Sequence, residues 1–233
     1  MSTAQILLLG GVAGATIFLG LPVARMQGLG PNARAGLSSL ATGILVFLFW
    51  DVMTNAVDPI DSSLHAHAWG KFAERRTLDL TNPAVRLAFL IAIGIGVHNF
   101  AEGLAIGQAA AASEIALAVT LIIGFGLHNA TEGFGICGPL SGAGIVPSWR
   151  LLGLLGLIGG APTFLGTVVG QAWASDAVSV VFFTVAGGSI LYVVRELFAV
   201  NRKYGHPVLV TWLLVAGILL GFATDFVVTA AGV

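Results

Sequence analysis

Apolar residues in this chain run in long blocks broken by short polar joints. Uncharged or nearly uncharged stretches lie at about residues 4–24, 35–57, 84–110, 115–137, 149–172, 177–200 and 207–231. Each is about 20 to 27 residues long, and a helix rising ~1.5 Å per residue crosses a hydrocarbon core of ~30 Å in about twenty. The pattern predicts an all-α fold, a polytopic transmembrane bundle with about seven visible spans in one domain over residues 1–233. The segment Met1–Gln5 has no positive charge, and the apolar block behind it is long enough to span, so a first transmembrane helix is expected rather than a cleaved signal peptide. Residues 58–82 (DPIDSSLHAHAWGKFAERRTLDLTN) carry too many charges to cross lipid and are expected as a polar loop between the second and third visible spans.

Composition fits that reading. Hydrophobic residues make up 57% and charged residues 9%, with mean hydropathy +0.95, too little charge to cover a soluble surface. A net charge of −1 with no basic stripe excludes a nucleic-acid partner. The 32 glycines would weaken soluble helices, but in lipid they let backbones approach, and Gly153, Gly156, Gly160, Gly166 and Gly170 have such spacings. Cys137, the single cysteine, has no intramolecular partner and lies in an apolar run, as buried filler would. Between Gly107 and Glu114 there is room only for a tight turn, so the third and fourth spans should form an antiparallel hairpin.

Lysine and arginine set the orientation. Arg150, Arg202, Lys203 and the segment with Lys71, Arg75, Arg76 and Arg86 share one side if the last five spans alternate, and that side should be the cytoplasm. Arg25 and Arg34 also call for the cytoplasm, yet one visible span separates them from the Lys71–Arg86 segment. Either Arg25 and Arg34 face outward, or a crossing expected between the second and third spans is absent from the visible set.

The chemistry lies in two hexapeptides, HNFAEG at His98–Gly103 and HNATEG at His128–Gly133, one on each helix of the hairpin. Positions i and i+4 share a helix face and i+1 lies ~100° around, so His98 points with Glu102 and His128 with Glu132, with Asn99 and Asn129 beside them. If the two faces oppose, two imidazoles and two carboxylates converge. An ionised carboxylate near the bilayer centre costs about 2.5–3.5 kcal/mol on insertion scales, and no Lys or Arg lies at this depth to compensate. A divalent metal supplies the missing charge, and imidazole nitrogen with carboxylate oxygen suits Zn²⁺ and its first-row neighbours. Hydrogen-bonded histidines beside neutral glutamates are the alternative, and the doubled motif weighs against it.

At these residues the chain resembles the ZIP family of divalent metal transporters, whose fourth and fifth transmembrane helices carry HNxxEG-type motifs. The resemblance implies a metal site within a transport path, lined by His98, Asn99, Glu102, His128, Asn129 and Glu132, with Zn²⁺ the commonest substrate and Fe²⁺, Mn²⁺ and Cd²⁺ among the others. It further implies entrance or exit roles for Asp51, near the end of the second span, and for Glu196, near the cytoplasmic end of the sixth. The chain departs from the family at three points. Ala101 and Thr131 stand where a proline is usual, Ala161 precedes Pro162 where many bacterial members have a bridging glutamate, and the family's third of eight spans has no apolar run here. One tight metal site rather than a bridged pair is therefore expected, and a deleted span, natural or engineered, is the preferred account of the short count.

The resulting expectation is a multi-pass inner-membrane transporter, not an enzyme, that moves a divalent metal ion into the cytoplasm. Its partners are the ion and the lipid bilayer, with a homodimer left open. The rival readings are an intramembrane zinc-dependent hydrolase and a transport-inactive metal-binding homologue. Asp58, Asp61, His65 and His67 could form a loose metal-collecting cluster, although a solvated loop explains them more simply; Asp225, inside the last span, has no assigned role.

Overall fold

The computed structural model describes residues 2–26, 28–57, 82–172 and 176–230. The first span, Thr3–Arg25, is built from α1 (Thr3–Ala15), the short α2 (Ile17–Gly20) and a 3-10 turn (Leu21–Arg25). Six longer helices follow: α3 (Pro31–Val57), α4 (Pro83–Ala111), α5 (Ile115–Gly142), α6 (Trp149–Ala172), α7 (Asp176–Arg202) and α8 (Pro207–Ala230). Seven of these segments are long and apolar enough to cross a membrane, as the hydropathy predicts, and no strand occurs among the described residues. Local chemistry sets the ends. A Ser2–Gln5 capping box opens α1, and the Asn82 side chain accepts from Ala84 N–H ahead of Pro83 to start α4.

Glycine contacts fix the helix directions. Gly36 and Gly43 of α3 meet Leu213 and the Leu214 carbonyl of α8, while Phe47 stacks edge-on against Phe222 at 4.7 Å, so α3 and α8 run parallel. By the same reasoning α4 is parallel to α6, where Gly96 meets Ile158 and Gly107 meets Thr167, and α1 is parallel to α5. Close backbone contact of this kind replaces the hydrophobic effect as the main attraction between helices in lipid. The bundle thus has two closely packed sets, α1–α4–α5–α6 and α3–α7–α8, which meet along α3–α5 and α4–α7.

All described lysines and arginines gather at one end: Arg25, Arg34, Arg86, Arg150, Arg195, Arg202 and Lys203 lie at or near the helix termini that meet there. Arg34 donates to the Ser141 carbonyl at 3.2 Å, and Arg25 donates to the Pro147 carbonyl while lying 4.8 Å over the Trp149 ring. Beneath them a buried polar link joins α3 to α7, with Ser38 donating to Asn201 at 2.6 Å and Asn201 donating to Thr42 at 3.0 Å. The orientation conflict in the sequence is thereby resolved. Arg25 and Arg34 share the end of Arg86 because α3 and α4, although consecutive, run in the same direction. Asp58, Asp61, His65, His67, Lys71, Arg75 and Arg76 lie outside the described residues.

This topology predicts opposite accessibility for the two ends of α5. Ala112→Cys and Ala143→Cys should react with a membrane-impermeant maleimide from opposite faces, with native Cys137, 2% exposed, staying silent in the parent chain. Reaction of both from the same face would contradict the helix directions.

Candidate metal centre

Both hexapeptides sit in the middle of uninterrupted helices, α4 and α5, joined by a turn at Ala112–Glu114 in which Ser113 takes a left-handed φ of 65°. Without prolines at Ala101 and Thr131 the helices pass straight through the motifs, and the Thr131 hydroxyl donates to the His128 carbonyl at 2.7 Å. The hairpin expected from the short Gly107–Glu114 interval is present, and it turns the two His/Glu faces toward one another.

Glu102 lies at the hub. Its Oε1 is 2.9 Å from His98 Nε2 on its own helix and 2.5 Å from His128 Nε2 on the partner. Glu132 Oε1 lies 3.8 Å from His98 Nε2, and ligand atoms of His98, His128 and Glu132 all fall within 4.8 Å of one another. Burial is nearly complete, with His98 at 0%, Glu132 at 1%, Glu102 at 3% and the His128 side chain at 11% exposure. Glu102 Oε2, Glu132 Oε1 and His98 Nδ1 are buried without a hydrogen-bond partner. Arg86, the one Lys or Arg in α4 and α5, is in the first turn of α4, about 18 Å along the helix from His98. Among the described residues, two buried carboxylates thus face two imidazoles with no Lys or Arg at this depth of α4 or α5, a donor set that fits a divalent ion with nitrogen and oxygen ligands.

The asparagines are placed differently. Asn99 donates both amide hydrogens, to Glu132 Oε2 at 3.0 Å and to the Gly159 carbonyl of α6 at 2.9 Å. Asn129 turns to the first span and donates to the Ala13 carbonyl at 3.1 Å. Ala161 is on an exposed face of α6, so this helix meets the centre through the Gly159 backbone instead.

A cavity of about 770 Å³ leads from His98, Glu102 and His128 to the end of the bundle opposite the basic residues. Its walls include Asp51, Gln108, Glu114, Thr120 and Asp225. Asp51 and Asp225 line the same cavity as Glu102 and both histidines. The α3–α8 pairing brings Asp225 there, a placement its isolated position in the last span did not reveal. Glu196 is not among the cavity residues; it pairs at 3.3 Å with Arg195, itself 78% exposed, near the basic end. Cys137 is filler, its thiol donating to the Leu21 carbonyl at 3.3 Å.

The family model of the ZIP zinc transporters matches residues 54–229, a stretch that contains both hexapeptides and α4 to α8. The chain belongs to the ZIP zinc transporter family. No curated protein matches it. ZIP members are transporters of divalent metals and not enzymes, which leaves the hydrolase reading without support. In this ZIP protein the His/Glu cluster lies inside a multi-pass bundle, at the blind end of the cavity.

Metal ligands must be deprotonated, so ion and protons compete for the same atoms. Cd²⁺ affinity of the purified chain should be at least about tenfold weaker at pH 5.5 than at pH 7.5, since the hundredfold higher proton concentration competes with the ion for the imidazole and carboxylate ligand atoms. Equilibrium dialysis at the two pH values tests this, and equal affinity at both would argue against histidine ligation.

Proposed function

We propose that the chain moves Zn²⁺ across the inner membrane into the cytoplasm, with Fe²⁺, Mn²⁺ and Cd²⁺ as further candidates. His98, Glu102, His128 and Glu132 hold the ion, and Asn99 and Asn129 assist. The observation that carries this reading is the convergence of two imidazoles and two carboxylates from a repeated motif, far from every described lysine and arginine, at the bottom of a cavity in a ZIP protein.

By the positive-inside rule the basic end faces the cytoplasm, so the cavity opens outward. A hydrated cation enters along walls bearing Asp51, Glu114 and Asp225, whose charges raise its local concentration. It sheds water as it reaches Glu102, and imidazole and carboxylate ligands replace the hydration shell. Release to the other side requires the α1–α4–α5–α6 set to shift against α3–α7–α8, since the helix packing beneath the centre closes that route. Protonation of a ligand as the cytoplasmic side opens weakens binding and lets the ion leave. Near the basic end, Glu196 would meet the ion on its way out once Arg195 lets it go.

Glu102→Ala and Glu132→Ala should each abolish saturable ⁶⁵Zn²⁺ uptake into proteoliposomes or cells while leaving the protein in the membrane. Uptake unchanged in either variant would remove that carboxylate from the transport site.

A further inference from the structure

The repeated frame of the two hexapeptides contains two more residues than the four ligands explain, the Asn and the Gly. In both motifs they form a second stripe, one residue round from the His/Glu stripe, and it faces a different helix. Asn99 donates to the Gly159 carbonyl, and a Cβ on Gly103 would collide with the Thr163 carbonyl of the same helix. Asn129 donates to the Ala13 carbonyl, and a Cβ on Gly133 would collide with the Ile17 carbonyl. The register is identical. A four-residue step on the motif helix matches a four-residue step on its parallel neighbour, α6 in one case and the first span in the other.

We propose that the Asn–Gly stripe is a docking register that fixes each motif helix against an outer helix, and that Asn99 is a positioning residue acting through Glu132 rather than a metal ligand. This rests on the metal site proposed above. Three observations carry it. The two hydrogens of Asn99 Nδ2 meet two acceptors, Glu132 Oε2 and Gly159 O, and turning the amide over would set its oxygen against both. One carboxylate oxygen of Glu132 is thereby engaged, leaving Oε1, the atom nearer His98, for an ion. The unpartnered Oδ1 of Asn99 does not mark a ligand, because Asn129, whose amide addresses the first span, has the same buried and unpartnered oxygen. Glu132 is thus tied through Asn99 of α4 to the Gly159 carbonyl of α6, and its angle to the centre depends on that brace. Outer-shell partners of metal ligands of this type typically change affinity 10–100-fold.

The test is a double-mutant cycle on the full chain in detergent, read as Cd²⁺ affinity. Asn99→Ala alone should weaken binding about tenfold. In a Glu132→Gln background the same change should cost less than about threefold, whereas in a Glu102→Gln background it should still cost about tenfold, because the effect passes through Glu132 alone. A ligand role, or a general loosening of the bundle, gives the full loss in both backgrounds and overturns the proposal. If Asn99→Ala does not fold, Asn99→Ser goes through the same cycle with the same criteria. Absence of Cd²⁺ binding in the parent chain overturns the metal site itself, and this inference with it, and so is distinguishable from an additive cycle around a working site.

Discussion

Two carboxylates buried between α4 and α5, with no described lysine or arginine within reach, are the constraint around which this structure is arranged. Glu102 and Glu132 are 3% and 1% exposed, and the nearest basic residue on either helix is at the far end of α4. Such groups are costly in lipid unless a cation meets them or they give up their charge. The two histidines are drawn onto Glu102 from both sides, which satisfies it in part. Glu102 Oε2, Glu132 Oε1 and His98 Nδ1 stay without hydrogen bonds. A divalent ion meets that shortfall in a way no described protein group in the vicinity does.

Holding the donors at that spacing requires helices that approach to backbone contact. Gly103 and Gly133 leave no side chain between the motif helices and their outer neighbours, and the asparagines one turn earlier bond across the same seams. Beside the centre lies the cavity, where α3 and α8 supply Asp51 and Asp225 to a wall that is otherwise largely apolar. Rigidity at the centre and open space above it are both what an ion-handling site needs. One fixes the ligands, and the other gives a hydrated ion room to arrive.

Much of this was legible in the sequence because its physics is local. Span positions follow from hydropathy, the hairpin from the short Gly107–Glu114 interval, and the shared face of His98 with Glu102 from helical spacing. The partners of Asn99 and Asn129 were not legible, since Gly159 and Ala13 act through backbone carbonyls that leave no mark on residue type. Asp225 gained a neighbourhood only once α3 and α8 were seen to run parallel. The same holds for the basic end: Arg25, Arg34 and Arg86 conflict along the chain and agree in space, because two consecutive helices point the same way.

The geometry of these donors calls for a single divalent ion between α4 and α5, which anomalous diffraction from crystals grown with Cd²⁺ or Zn²⁺ would locate. One peak among His98, Glu102, His128 and Glu132, with the Asn99 amide still on Glu132 and Gly159, is the predicted result. No peak at that position, or two ions there with Asn99 oxygen bound to one of them, would contradict it.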